Sequence, residues 1–119
     1  MSVSIRRVYA ERPAHEPGTR ILVDRVWPRG ISKESDRFDA WVKDVAPSTE
    51  LRRWFGHDPA KWDEFQRRYR AEIAAQPEAL APLLDAARAG PLTLVYGAKD
   101  ETHNQAVVLR DVLDEQLKR

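Results

Sequence analysis

Residues 90–104 read "GPLTLVYGAKDETHN". Residues 92–96 are a short apolar run, closed in front by Gly90-Pro91 and behind by Gly97. A run of this length between turn residues reads as a buried strand. The next segment is "QAVVLRDVLDEQLKR" (105–119), in which Leu109, Val112, Leu113 and Leu117 recur at helical spacing. Lys118 and Arg119 in its last turn suit the negative end of a helix dipole. The order is therefore strand, turn, helix, the repeating unit of α/β proteins.

Upstream, "PEALAPLLDAARAG" (77–90) puts Leu80, Leu83, Leu84 and Ala87 on one helical face, with Pro82 restarting or kinking it. Trp62, Phe65, Tyr69 and Ile73 form the apolar face of the helix before it, and Asp58-Pro59 is its start signal. A shorter helix, "TELRRWF", has Ser48 as N-cap and Gly56 as stop. "RFDAWVKDVA" (37–46) reads as strand or short helix; the alternation of Phe38, Ala40 and Val42 favours strand. "TRILVDRVW" (19–27) has a continuous apolar centre, the mark of a strand covered on both faces. "SIRRVY" (4–9) alternates apolar and basic residues, as a strand with one wetted face does. Residues 10–18 and 28–36 are loops rich in Pro, Gly and Ser.

The helical block between the early strands and residues 92–96 is long enough to cross over and return parallel. The expected fold is α/β: a small, at least partly parallel sheet covered by helices, in a single layered domain over 1–119. A chain of 119 residues suits one modest core. With 42% hydrophobic and 33% charged residues it is globular in composition.

Formal charge is +1, which argues against holding DNA by bulk charge. The N-terminal third is locally basic: Arg6, Arg7, Arg12, Arg20, Arg25, Arg29 and Lys33 stand against Glu11, Glu16 and Asp24. Such a surface suits a small anion better than a long duplex. The absence of cysteine excludes disulfides, thiolate metal sites and a thiol nucleophile, and fits a reducing cytoplasm. No apolar run approaches membrane-spanning length, and the N-terminus lacks a signal-peptide layout. A cytoplasmic protein with no membrane partner is expected.

Two loops come directly after buried strands: 24–33 and 97–104. In parallel sheets, ligands bind outside the carboxyl ends of the strands. Parallel neighbours at 20–26 and 92–96 would bring both loops to one edge, as two walls of one pocket. In "DRVWPRG", Arg25 and Arg29 offer planar forks for carboxylate or phosphate. Asp24 either orients an arginine or acts as an acid/base group. Trp27 either stacks on a ring or fills core. In "GAKDETHN", Gly97 permits a tight strand exit and Lys99 is a mobile cation. Thr102 or Asp100 would cap the final helix. His103 and Asn104 would then stand in its first turn, with backbone N–H groups forming an anion seat. The ligand set is thus Arg25, Arg29, Lys99, Asn104 and Trp27, with His103 and Asp24 as acid/base candidates.

Other features read as structural. His57 packs a turn, Asp58 caps, and His15 is solvated. The run 67–70 is mainly the wet face of its helix. The three histidines show no metal-ligand spacing, and no phosphate-cradling, dinucleotide or nucleophile-elbow motif is present, so neither metal nor cofactor is expected.

Three blocks, "RILVDRVWPRGISKE", "APSTELRRWFGHDPAKWDEFQRRY" and "TLVYGAKDETHNQAVVL", together resemble the YeaO-like family of bacterial proteins, a domain of unknown function. The resemblance implies a compact cytoplasmic α/β domain. Longer relatives in that wider group carry a Cys-His-Arg element after the strand matching 92–96. Here Thr102, His103 and Asn104 stand near that place, so only the histidine matches. The leading reading is a protein for a small anionic, phosphate- or nucleotide-like ligand, with or without acid/base catalysis. The alternatives are a nucleic-acid-binding accessory, using arginines interleaved with Trp27, Trp54 and Tyr69, or an interaction module, monomer or homodimer, packed by Trp41, Trp54 and Trp62.

Overall fold

The computed structural model describes residues 3–10 and 16–118. His15, Arg12 and Arg119 lie outside the described residues. Four strands form one sheet: β1 (Val3–Arg7), β2 (Thr19–Leu22), β3 (Ala40–Trp41) and β4 (Leu92–Tyr96). Their spatial order is β1-β4-β2-β3 and every pairing is parallel. Leu94 sits opposite both Ile5 and Ile21, and Ile21 opposite Ala40. The central position of β4 explains its composition, since all five residues are buried.

Side chains alternate across the sheet. Ile21, Leu92, Leu94 and Tyr96 point into the main core. There they meet residues of α1 (Thr49–Phe55), α2 (Trp62–Ala75), α3 (Ala81–Ala89) and α4 (Gln105–Leu117). Leu22 and Val95 point the other way, into a smaller cluster with Val8, Ile31 and Phe38. Helices thus cover one face, and the loop after β2 contributes to covering the other.

The helix signals in the sequence hold. Ser48 Oγ accepts from Leu51 N at 3.1 Å, and Gly56 closes α1 in the left-handed region. Asp58 caps a single 3-10 turn, Pro59–Lys61, and α2 begins behind it. A second 3-10 turn, Pro77–Leu80, precedes α3, so Pro82 stands in the first turn of a restarted helix.

Several strand-level expectations change. β2 ends at Leu22, with one further bond from Val23 N to Val95 O, because Asp24 and Arg25 turn to partners on other segments. Within 37–46 only Ala40–Trp41 pairs; the chain then coils into a 3-10 turn at Lys43–Val45. β1 is shorter than 4–9, and its basic face is not all wet. Arg6 is buried, with Nε 2.7 Å from Glu16 Oε2 and Nη2 2.6 Å from Arg37 O. Gly18 shows why one glycine cannot change: its φ is +79°, and a Cβ there would lie 1.9 Å from Pro91 O.

Candidate functional site

Because all four strands run parallel, their carboxyl ends share one edge. A cavity of about 820 Å³ opens there. Asp24 to Arg29 line it from the end of β2, and Gly97, Ala98, His103, Asn104 and Gln105 from the end of β4. Tyr9 lines it from the end of β1, and Thr49, Arg52, Arg53, Phe55 and His57 from α1 and its exit. The two loops singled out in the sequence therefore do face one space.

Asp24 joins the two walls. Its Oδ2 accepts from Gly97 N at 2.8 Å, and its Oδ1 accepts from the Gln105 side-chain amide. Burial pushes its carboxyl up to about 6, opposed by the bonds from Gly97 and Gln105 and by the charge of Arg52. Gly97 is glycine for this contact and not for a tight exit: a Cβ would lie 2.8 Å from Asp24 Oδ2. The Asp24 carbonyl is also used, accepting from Trp41 Nε1 at 2.6 Å.

The arginines divide into two kinds. Arg25 is half-buried and tied down, with Nε to Pro47 O at 3.1 Å and Nη2 to Ala46 O at 2.9 Å. Arg29, Arg52 and Arg53 are exposed at the rim. Among the described residues their guanidinium groups make no hydrogen bond or ion pair. Asp24 is the one carboxylate on the described lining.

Trp27 lines the cavity but also packs: Nε1 donates to Ile31 O at 2.6 Å, and its ring stands edge-on to Phe38 and Trp41. Lys99 is exposed and does not line the cavity, because the chain turns away after Ala98, whose carbonyl accepts from Arg7 Nε at 3.0 Å.

The cap assignment also changes. Asn104, not Thr102 or Asp100, is the N-cap of α4: its Oδ1 accepts from Ala106 N and Val107 N, and its Nδ2 donates to Asp100 O. His103 and Asn104 therefore precede the first turn, and Asn104's side chain is committed to the cap. Asp100 instead holds the turn before it. The backbone N–H groups of Thr102 and His103 bring its carboxyl down to about 2.

His103 keeps its place on the lining. Its Nδ1 lies 2.9 Å from Asp100 Oδ2 and 2.9 Å from Thr102 Oγ1, and its ring stands edge-on to Trp62 at 5.2 Å. The pairing orients the imidazole and leaves Nε2 as the nitrogen without a hydrogen-bond partner among the described residues.

Sequence reading missed Tyr9, Arg52, Arg53 and Gln105 as lining residues. His57, read as a turn residue, also reaches the lining, from the left-handed region (φ 57°). The only local signal was the "LRRWFGH" cluster of cations beside a glycine. No group of His, Asp and Glu suited to a metal occurs among the described residues. No helix among them is long and apolar enough to cross a membrane.

A family model described as the inactive DUF488-N3 subclade matches residues 2–119. The chain belongs to this subclade. It is 45% identical over 114 residues to "Uncharacterized protein YeaO" of Escherichia coli K12, covering 95% of this chain and 97% of that protein. It is 40% identical over 112 residues to "Uncharacterized protein Rv3073c" of Mycobacterium tuberculosis H37Rv, covering 94% and 93%. No solved structure matches. Subclade membership agrees with the YeaO-like resemblance drawn from the three sequence blocks. The turn after β4, Thr102-His103-Asn104, carries no thiol.

Proposed function

We infer that this is a cytoplasmic protein that binds a small anionic ligand, phosphate- or nucleotide-like, in the cavity at the carboxyl edge of the sheet. One observation carries the reading: four arginines line a single cavity, three of them with guanidinium groups that make no hydrogen bond or ion pair among the described residues, against one carboxylate, which the charge of Arg52 reaches. Exposed guanidinium groups around a concave site focus field and match anionic oxygens in planar, bidentate geometry. Binding is favoured over turnover. The subclade is described as inactive, and no activated nucleophile lines the site among the described residues. His103, oriented by Asp100, remains the acid/base candidate if a reaction occurs.

A nucleic-acid reading ranks second. Arg67 and Arg68 share Glu64, and Arg70 pairs with Glu115, so two carboxylates offset most of the charge of the basic run 67–70 on its own surface. Trp54 is likewise engaged, lying under Arg68 at 4.2 Å and Lys61 at 5.2 Å.

A thermal-shift screen with sulfate, phosphate, sugar phosphates and nucleotides tests the reading. A ligand at a hundred times its dissociation constant adds about 2.7 kcal/mol of stability. Arg29→Ala and Arg52→Ala are expected to remove the shift. A shift that survives in both variants moves the site elsewhere, and no shift with any anion ends the proposal.

A further inference from the structure

A bare anion leaves part of this cavity unexplained. Beside the arginines stands a carboxylate, held by Gly97 N–H and the Gln105 amide. A carboxylate accepts at about four lone-pair sites, and these two bonds use two of them. Gln105 turns its NH₂ toward Asp24, which leaves its Oε1 as an acceptor. This wall therefore offers acceptors and seeks N–H donors. An inorganic phosphate or sulfate would bring more oxygens to it, a like-charge contact. The cavity is also too large for a bare anion. About 820 Å³ is the size of a site for a drug-sized ligand, and a single phosphoryl group would leave most of it to water. Trp27, Phe55 and Val26 add apolar and aromatic surface to the lining, suited to a flat ring.

Resting on the anion-site reading above, we propose that the ligand is a nucleotide whose base edge presents adjacent N–H donors, as guanine does. Its phosphate faces the rim arginines and its base edge faces Asp24 and Gln105. Guanine sets N1–H beside N2–H₂, two donors that match the two oxygens of one carboxylate. Adenine and cytosine each set a donor beside a ring-nitrogen acceptor, and uracil flanks one donor with two carbonyls. Only the guanine edge meets the Asp24 carboxylate with two parallel hydrogen bonds. Hypoxanthine keeps N1–H and loses the amino group, so it measures the second bond alone.

The test is calorimetric titration of the full chain at constant salt with GMP, IMP, AMP, CMP, ribose 5-phosphate and sulfate. GMP is expected to bind at least about tenfold tighter than IMP, the discrimination that one well-made pair of bonds to a base edge supplies. AMP, CMP and ribose 5-phosphate are expected to be weaker still. Asp24→Asn is expected to bring GMP to the level of IMP while ribose 5-phosphate binding is kept. The wild-type series decides the matter even if that variant does not fold. Equal affinity for GMP and ribose 5-phosphate, or AMP tighter than GMP, overturns the base assignment and leaves the anion site standing. No binding by any of the six overturns both. A guanine-containing trinucleotide run alongside separates the two sources of this chemistry: tighter than GMP means a nucleotide within a strand, weaker means a free one.

Discussion

Replacing Asp24 by asparagine should stabilise this protein at neutral pH and not at acid pH. The carboxyl titrates at about 6 in the folded chain against an ordinary 3.8. Ionising it is therefore about 3 kcal/mol costlier in the folded state than in the unfolded one, at about 1.4 kcal/mol per pKa unit. Between the two values the folded chain holds the proton more tightly, so stability falls as pH rises through that window. Below 3.8 both states are protonated and the penalty is absent; above 6 it is complete. The Asp24→Asn side chain carries no such proton. Its Oδ1 still accepts from Gly97 N, and its amide faces a Gln105 that is free to present Oε1. Urea unfolding, followed by tryptophan fluorescence across the window, gives the stability difference between variant and wild type. That difference should move by about 3 kcal/mol in favour of the variant between about pH 3.5 and about pH 7.5. Other charged and titrating groups, Arg52 and His103 on the neighbouring segments among them, occur in both proteins and largely cancel. Parallel pH profiles would refute the reasoning. A carboxylate retained at this cost inside a cavity is the pattern of stability given up at a functional site.

Other substitutions test the frame that holds the site. Gly18→Ala meets a backbone oxygen 1.9 Å away at a positive φ, so it should cost well over about 1 kcal/mol and lower soluble yield and cooperative unfolding; a near-neutral effect would mean that β2 and Pro91 are not so close. Asn104→Ala removes the N-cap of α4 and a buried donor to Asp100 O. About 2 kcal/mol of stability should be lost, with helical circular dichroism falling earlier in urea. Gly97→Ala should displace the Asp24 carboxylate and break its bond to the backbone. The pKa of Asp24, followed by NMR, should then move further up, because a bond that favours the charged form is lost.

Local periodicity and turn chemistry laid out most of the elements of this chain, though not the bounds of every strand or the cap of the last helix. The apolar run at 92–96 announced a buried strand, and the structure puts it between two neighbours. Ser48 and Gly56 marked the ends of α1, and Asp58 marked the 3-10 turn that leads into α2, because capping is settled within a few residues. The meeting of loops 24–33 and 97–104 was also legible, once parallel direction was inferred from the length of the crossover. Which side chains face each other there was not. The Asp24 carboxylate finds Gly97 and Gln105 across 73 and 81 residues of sequence. Arg52 and Arg53 reach the cavity only because α1 packs at that edge. Lys99 stays exposed and off the lining, and Arg6 goes inside, against its residue type. Burial along a strand or helix is a one-dimensional pattern that sequence carries. Partnership between segments depends on where the packed core sets each backbone, to within an ångström, and that is decided by the tertiary structure.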